Sequence, residues 1–270
     1  MKKVINVLAI LLILITFSSC RTYITPAGLG TNIGYMPKPM VGDSVRSKIY
    51  VTGTYGGATS PNASVNFTFG MLDIARSHTY EEFNFSYGGY GYFGKAKYDM
   101  EKPYTLDKNI VQLPSFNKNT AGLGIKTSIG YHEVSSSRNT EFRLMNWENS
   151  LAWELGDYTQ FRKDLYDSPI NYYNLNVSNK TFIWTTGFST EIIFRSPTTH
   201  NFKNAFRFFI GGSKGIVKSF KEGESLNNYT AKTSAAFSFT YYLQYKSFSF
   251  TYELATNNNA TNKGSLGYSF

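Results

Sequence analysis

The sequence predicts an all-β fold, an antiparallel up-and-down barrel of about ten strands that spans a membrane. Tyr and Phe number 21 and 22 in 270 residues, and charged residues are only 17% of the chain, below the roughly 25% of soluble domains. Long segments alternate aromatic or aliphatic residues with Ser, Thr, Asn and Gly, as expected of strands with one apolar and one polar face. After the N-terminal region, no apolar run approaches the length of a membrane helix.

The first 20 residues have the features of an export signal. Two lysines precede an apolar run at residues 4–15, and "TFSSC" follows, ending at Cys20, the only cysteine. The "FSSC" stretch resembles the lipobox of bacterial lipoproteins. The resemblance implies that residues 1–19 are a lipoprotein signal peptide and that Cys20 carries fatty acids such as palmitate. The alternative is ordinary cleavage near Ser19, which leaves an unmodified thiol.

Residues 20–45 contain many glycines and prolines and show no alternation. Such a composition is typical of an irregular, extended segment. We therefore expect a lipidated extended linker on the periplasmic side, followed by the barrel at residues 46–270.

Five segments with period-two alternation open the barrel region: "KIYVTGTYG", "NASVNFTFGM", "EEFNFSYGGYGYFGKAKY", "AGLGIKTSIGYHE" and "TEFRLMNWENSLAWEL". In the third segment Phe83, Phe85 and Tyr87 share one face, but the phase slips around residues 88–91, after which Tyr92 shares a face with Ala96. A bulge or a tight hairpin at this point would explain the slip. The strand number is therefore about ten, with eight or twelve as alternatives.

Five further segments complete the barrel: "TFIWTTGFSTEIIF", "AFRFFIGGSKGI", "TSAAFSFTYYLQY", "SFSFTYEL" and "TNKGSLGYSF". Short connections at 136–139, 197–202 and Lys246 alternate with long polar ones at 99–119, 157–179 and 219–229, the second of which has room for a short helix. Short periplasmic turns and long external loops alternate in this way in outer-membrane barrels. Both chain ends, and any lipid, are then expected on the periplasmic side.

The last strand ends in Leu266, Tyr268 and Phe270, which resembles the C-terminal signature of outer-membrane β-barrel proteins. With the lipobox, the chain resembles an outer-membrane β-barrel lipoprotein. This implies the outer membrane of a Gram-negative bacterium and insertion by the barrel-assembly machinery. The alternative is a periplasmic sandwich or a soluble lipocalin-type barrel, whose small core so many aromatic rings would overfill.

The charged residues suggest both partners and a lumen. A formal net charge of +9 without a Lys/Arg run in an exported chain favours lipopolysaccharide or phospholipid headgroups over nucleic acid. Nine charged side chains are predicted to face the lumen: Lys95, Lys97, Lys126, Glu148, Glu154, Glu191, Arg195, Arg207 and Glu253. Charges of both signs in a narrow bore should pair and plug it, and a selective pore is the alternative.

No constellation in the sequence indicates catalysis. Of the three histidines, only His132, with Ser128 or Ser135, could belong to a hydrolytic site, and it is more simply a polar residue near a turn. No metal-ligand spacing or phosphate loop is present, so we expect no cofactor, no metal and no enzymatic activity.

The external loops are then the expected working surface. Candidate binding residues are Lys102, Tyr104, Phe116, Arg162 and Tyr172, with plain solvated loop tips as the alternative. The first functional hypothesis is a structural or accessory subunit of an envelope complex that contacts other envelope proteins. A small channel for hydrophilic solutes and a lipid-modifying barrel enzyme are the other two.

Overall fold

The computed structural model describes residues 22–99, 111–170, 172, 174–199, 201–222 and 234–270. Its elements, in chain order, are β1 (Thr22–Ile24), β2 (Ser47–Thr59), β3 (Asn66–Thr79), β4 (Phe83–Tyr98), β5 (Phe116–Val134), β6 (Thr140–Leu155), α1 (Asp157–Asp167), β7 (Leu175–Ser178), β8 (Phe182–Arg195), β9 (Phe202–Ser213), β10 (Phe220–Glu222), β11 (Ala235–Tyr245), β12 (Phe248–Asn257) and β13 (Asn259–Ser269). Short 3-10 turns lie at Pro61–Ala63 and Val217–Ser219.

Ten of the described strands form one closed antiparallel barrel, in chain order from β2 to β13, while β1, β7 and β10 form a separate small sheet. The ring closes where Ala260–Ser269 of β13 pairs with Tyr50–Thr59 of β2. This closure confirms the prediction for the final strand, which is not a free edge. The predicted barrel of about ten strands is confirmed as well.

The outer wall of the barrel is apolar and the interior is polar. In β9, for example, Phe206, Phe208 and Ile210 are exposed, whereas Arg207 between them is buried. The same alternation exposes Phe248 and Leu254 in β12. A soluble lipocalin-type barrel has the opposite arrangement, with its apolar residues inside. An apolar exterior around a polar lumen is the arrangement of a membrane-spanning barrel of the outer-membrane type.

Strand β4 is continuous, so neither the bulge nor the hairpin predicted at residues 88–91 is present. Its pairing with β3 and β5 runs without a register shift. What changes along the strand is the position of its aromatic residues. Tyr90 and Tyr92 are buried inside the barrel, whereas Tyr87 and Phe93 are exposed. Glycines of β5 make this exchange feasible, because a Cβ at Gly122 would collide with the Tyr92 ring.

The connections divide into two sets at opposite ends of the barrel. One end, which we call the short-turn end, carries the short connections at residues 80–82, 135–139, 196–199 with 201, and 246–247. The connections that carry α1, β7 and β10 lie at the other end, which we call the long-loop end. The C-terminal Phe270 lies at the short-turn end, where its N–H donates to the Ile49 carbonyl at 2.9 Å.

Residues 22–43 fill the inside of the barrel and are called the plug below. All residues from Tyr23 to Val41 are buried except Gly34 and Tyr35, which are half-buried. The prediction of a linker outside the barrel at residues 20–45 is therefore wrong for the described part of that segment. Because the plug begins at the long-loop end and the barrel begins at the short-turn end, Thr22 and Phe270 lie at opposite ends. The expectation that both ends share one side does not fit the position of Thr22, and residues 1–21 lie outside the described residues.

The long-loop end is covered by an ordered cap. Strand β1 of the plug pairs in parallel with β7, and β10 pairs antiparallel with β7 on its other side. Helix α1, the short helix for which the sequence left room, buries Tyr158, Thr159, Arg162 and Leu165. Tyr158 donates to the Thr25 carbonyl at 2.8 Å, so the helix and the plug are joined.

Candidate functional site

The filled lumen is the most distinctive site of the molecule, because wall side chains of both charges converge on the backbone of the plug. At the long-loop end, the Glu154 carboxylate accepts from the Gly28 N–H at 2.6 Å and from the Tyr92 hydroxyl at 3.1 Å. Glu154 also forms a buried ion pair with Arg162 of α1. One carboxylate thus connects the barrel wall, the plug and the cap.

Three ion pairs lie along the inner wall in the middle of the lumen, each between strands that are adjacent or one strand apart. Arg207 pairs with Glu148 at 2.5 Å and Lys263 pairs with Glu253 at 2.8 Å, while Lys126 pairs with Asp73. All six side chains are at least 90% buried. Lys263 is shared with the plug, since its ammonium donates to the carbonyls of residues 31 and 33 at 3.0 and 3.3 Å.

A second network lies toward the short-turn end and centres on Arg143. Its guanidinium pairs with Glu141 at 2.9 Å and with Glu191 at 3.0 Å. It also donates to the Pro39 carbonyl at 2.8 Å. Glu141 accepts from the Val41 N–H at 3.0 Å. The arginine and its carboxylates are completely buried or nearly so, and they hold two different residues of the plug.

The plug leaves the lumen between two cationic residues of the wall. Asp43 pairs with Lys203 of β9 and, at 3.5 Å, with Arg195 of β8. Arg195 also donates to the Gly42 carbonyl at 2.8 Å. On the opposite wall, the Thr79 hydroxyl donates to the Pro39 carbonyl at 2.6 Å.

These contacts follow one rule. Cationic and hydroxyl side chains of the wall donate to plug carbonyls, and carboxylates of the wall accept from plug N–H groups. Outside β1 the plug forms no regular secondary structure, so its backbone polar groups need partners that water would otherwise supply. The wall therefore acts as a binding surface matched to this particular segment.

Little space remains around the plug in the described part of the lumen. One cavity of about 10 Å³ lies beside residues 32–36, and another of about 20 Å³ lies beside Tyr35, Asp73 and Lys263. Spaces of this size hold about one water molecule at most. The middle of the lumen is therefore almost filled, and a larger cavity of about 390 Å³ lies beside Gly42, Asp43 and Lys203 at the short-turn mouth.

Seven of the nine charged residues predicted to face the lumen are found there. Lys126, Glu148, Glu154, Glu191, Arg207 and Glu253 are buried in the interior, and Arg195 lies at the short-turn mouth. Lys95 and Lys97 are exposed on the outer wall instead. The prediction for these two lysines is wrong, because Tyr90 and Tyr92 occupy the inward positions of β4 and leave the odd-numbered residues outside.

The predicted loop-binding residues have other roles where the structure describes them. Arg162 is fully buried in its pair with Glu154, and its guanidinium also donates to carbonyls of the loop after α1. Phe116 is buried in an aromatic cluster with Tyr158 and Phe161, so neither residue is available to a partner. Tyr172 is half-buried against the same core. Lys102 and Tyr104 lie outside the described residues, as does Cys20.

The histidine considered for catalysis is not arranged as a catalytic base. His132 is buried; its ring Nδ1 lies 3.5 Å from the Asn84 amide, and its backbone N–H donates to the Glu82 carbonyl at 3.0 Å. The Ser128 hydroxyl has no hydrogen-bond partner in the described structure, and Ser135 bonds to Ser137. Four residues separate Ser128 from His132 along one strand, which is about 13 Å. No Ser–His pair of the kind a hydrolase uses is formed among the described residues.

No group of three His, Cys, Asp or Glu side chains in the described chain could hold a metal ion. None of the helices among the described residues is both long enough and apolar enough to cross a membrane.

Several lumen residues were missed by reasoning from the sequence: Asp73, Glu141, Arg143, Lys203 and Lys263. Arg143 carried a usable signal, because it lies between Phe142 and Leu144, both of which face outward. Asp73 lies beyond Met71, where the segment predicted for this strand ends, whereas the strand itself continues to Thr79.

Comparison with known proteins leaves the family open, since no family model and no curated protein matches the chain. Among solved structures, the translocator domain of the autotransporter NalP from Neisseria meningitidis is 8% identical, with 86% of this chain and 90% of that chain covered and a TM-score of 0.41. An outer membrane channel from Pseudomonas putida F1 is 8% identical over 88% of this chain and 100% of that chain, with a TM-score of 0.41. The NanC porin is 10% identical over 81% and 98%, with a TM-score of 0.32. Likenesses this distant carry no argument about function.

Proposed function

We propose that the protein is a closed, non-enzymatic barrel lipoprotein of the Gram-negative outer membrane. It serves as a structural or accessory subunit of an envelope complex and presents its capped long-loop end to a partner. The observation that carries the proposal is the plug, whose backbone is held along the lumen from Gly28 at Glu154 to Gly42 at Arg195. A barrel whose lumen is filled by a hydrogen-bonded segment can hold the cap rigidly for a partner, but it does not conduct ions or solutes.

The cap supplies the surface. Helix α1 buries one face on the barrel and leaves Gln160, Lys163, Asp164 and Asp167 exposed. These polar and charged side chains stand on a helix that is fixed by the buried Arg162–Glu154 pair. A rigid polar face suits a reversible protein contact better than insertion of an apolar anchor.

Conductance separates this proposal from the channel alternative. The purified protein in a planar lipid bilayer should give no steady current. A variant that lacks residues 22–43 but keeps the segment before them should conduct, because the polar wall then surrounds water. Lys95→Ala, a substitution on the exposed outer wall, is the matched control and should stay silent. A steady, salt-dependent current through the unmodified protein would reject the closed barrel in favour of the channel.

The partner is tested by co-purification from solubilised envelopes. The triple variant Gln160→Ala, Lys163→Ala, Asp164→Ala changes only the exposed face of α1. It should fold and insert like the unmodified protein but lose the co-purifying partner. Retention of the same partner at the same yield would exclude this face as the binding surface.

The lipid anchor rests on the sequence around Cys20. Mass spectrometry of the N-terminal peptide should show the added acyl mass, and Cys20→Ser should remove it.

The outer wall suits the other predicted partners: Lys95 and Lys97 are placed for anionic headgroups, and Leu266, Tyr268 and Phe270 are exposed for the assembly machinery. His132→Ala should leave the lipid composition of the cell unchanged, and an altered composition would support the enzyme alternative.

A further inference from the structure

The path of the plug has a consequence for the topology of the whole molecule. We infer that the chain preceding Thr22 leaves the barrel at the long-loop end, so that the protein's own lumen carries its N-terminal segment across the membrane. The N-terminal segment and Phe270 are then on opposite faces of the membrane.

The plug enters at the short-turn end. The barrel begins there with Ser47, which pairs with His78 near the end of β3. Just before it, the Arg46 carbonyl accepts from the Thr79 N–H at 2.8 Å. Asp43 lies between Arg195 at the end of β8 and Lys203 near the start of β9. Residues 43–47 are thus fixed at one mouth of the barrel.

From there the plug advances along the lumen toward the long-loop end, with one turn at residues 27–32. Its wall partners lie progressively closer to the long-loop end as its residue numbers fall. Tyr35 donates to Glu191 on β8, and Asn32 donates to Thr185, six residues nearer the long-loop end of that strand. On β13 the order is the same, since Thr31 contacts Lys263 and Thr25 contacts Asn259, the first residue of the strand.

The exit is fixed by pairing with the cap. Thr22–Ile24 forms β1 and pairs in register with Leu175–Val177 of β7, which lies in the connection after α1. The Tyr23 N–H donates to Ser64 Oγ, in the connection between β2 and β3 at the same end. Cys20 precedes Thr22 by only two residues, a distance that the backbone spans with about 7 Å.

If the long loops face outward, as in outer-membrane barrels, the segment before Thr22 is on the cell surface. This step rests on the proposed function, which supplies both the membrane and the lipid. Acyl chains on Cys20 would then enter the outer leaflet and not the periplasmic one. The barrel would be held by its strands and, at its capped end, by a lipid of its own.

Single-cysteine labelling tests the inference in full-length protein. In a Cys20→Ser background, which contains no other cysteine, Arg21→Cys reports the N-terminal segment. Ile170→Cys marks the long-loop end and Thr199→Cys marks the short-turn end, and both residues are exposed. Intact cells are treated with a membrane-impermeant maleimide. The same treatment of permeabilised cells is the control, which shows that each cysteine reacts once the maleimide has access to it. Each variant is first shown to insert as a folded barrel by its heat-dependent migration in gels.

The expected result is labelling of Arg21→Cys in intact cells at the level of Ile170→Cys, with loss of labelling at Thr199→Cys until permeabilisation. Labelling of Arg21→Cys that follows Thr199→Cys overturns the threaded path. Labelling of Thr199→Cys alone in intact cells overturns the placement on the cell surface. Because these variants lack Cys20, a missing acyl group in the unmodified protein would refute the lipid anchor without altering the labelling pattern.

Discussion

Substitution of Arg143 by Met removes the centre of the inner network without changing the length of the side chain much. The change leaves the Glu141 and Glu191 carboxylates, both buried, without their shared cation, and it frees the Pro39 carbonyl. Removing one partner of a buried ion pair costs about 3–5 kcal/mol. Since each 1.4 kcal/mol is a factor of ten, the ratio of folded to unfolded protein should fall roughly a hundred- to several-thousand-fold.

Unfolding by urea in detergent micelles, followed by tryptophan fluorescence, measures this loss. The matched control is Arg46→Met at the exposed rim, where the guanidinium donates to Glu81 at 2.6 Å and, chiefly by this hydrogen bond, lowers the pKa of that carboxyl. The control should barely change the midpoint, because exposed pairs contribute little. Combining Arg143→Met with Gln at both carboxylates should recover much of the loss. A midpoint for Arg143→Met equal to that of the control would refute the role of the network.

Three further tests, made with five substitutions, examine the assignment of the two faces. Gly122→Ala should destabilise the barrel by about 1–3 kcal/mol because the new methyl group meets the tyrosine ring opposite, whereas Gly53→Ala, with open space at that position, should be neutral in the same urea titration. Phe208→Arg, on the lipid-facing wall where the ring is 57% exposed, should cost about 2–4 kcal/mol in bilayers and be far milder in a water-soluble barrel. Lys95→Met should change the midpoint by less than about 0.5 kcal/mol, whereas Lys126→Met should lower it clearly because a buried aspartate loses its partner.

The barrel could be predicted from the sequence because its cause is local and repeats along the chain. Each strand must present apolar side chains to lipid and polar side chains to the lumen. Apolar and polar residues therefore alternate with a period of two in the strand segments. β9 and β13 show it over part of their outward faces, in Phe206, Phe208 and Ile210 and in Leu266 and Tyr268. The lengths of the connections then predicted which connections lie at each end of the barrel.

The plug could not be predicted by the same means. The plug is rich in Gly and Pro and shows no periodicity. An irregular segment has the same sequence pattern whether water or a barrel lumen surrounds it. Its burial is caused by side chains far away in the chain, such as Glu154 for Gly28 and Lys263 for Thr31. The sequence indicates such a pairing only through the barrel strands, which carry more lumen-facing charges than a narrow bore would otherwise contain.

Strand β4 shows where the rule of apolar residues outside fails. Tyr90 and Tyr92 are amphipathic, and inside the lumen their hydroxyls bond to Ser150 and Glu154 at 3.2 and 3.1 Å. Their rings fit because Gly124 and Gly122 lie opposite on β5. The sequence contains both the two tyrosines and the two glycines at matching spacing. That spacing predicts inward-facing tyrosine rings only once the register between β4 and β5 is known.

The number of contacts to the plug bears on whether it could serve as a gate. Six charged wall residues each bond to it at least once: Glu154, Lys263, Arg143, Glu141, Arg195 and Lys203. Hydrogen bonds to charged groups contribute about 1.5–3 kcal/mol each, so together they oppose release by something on the order of 10 kcal/mol. At that cost the plug would leave the lumen in about one molecule in ten million. A segment held so firmly has the energetics of a structural core, which supports the proposal of a closed barrel whose cap is the working surface.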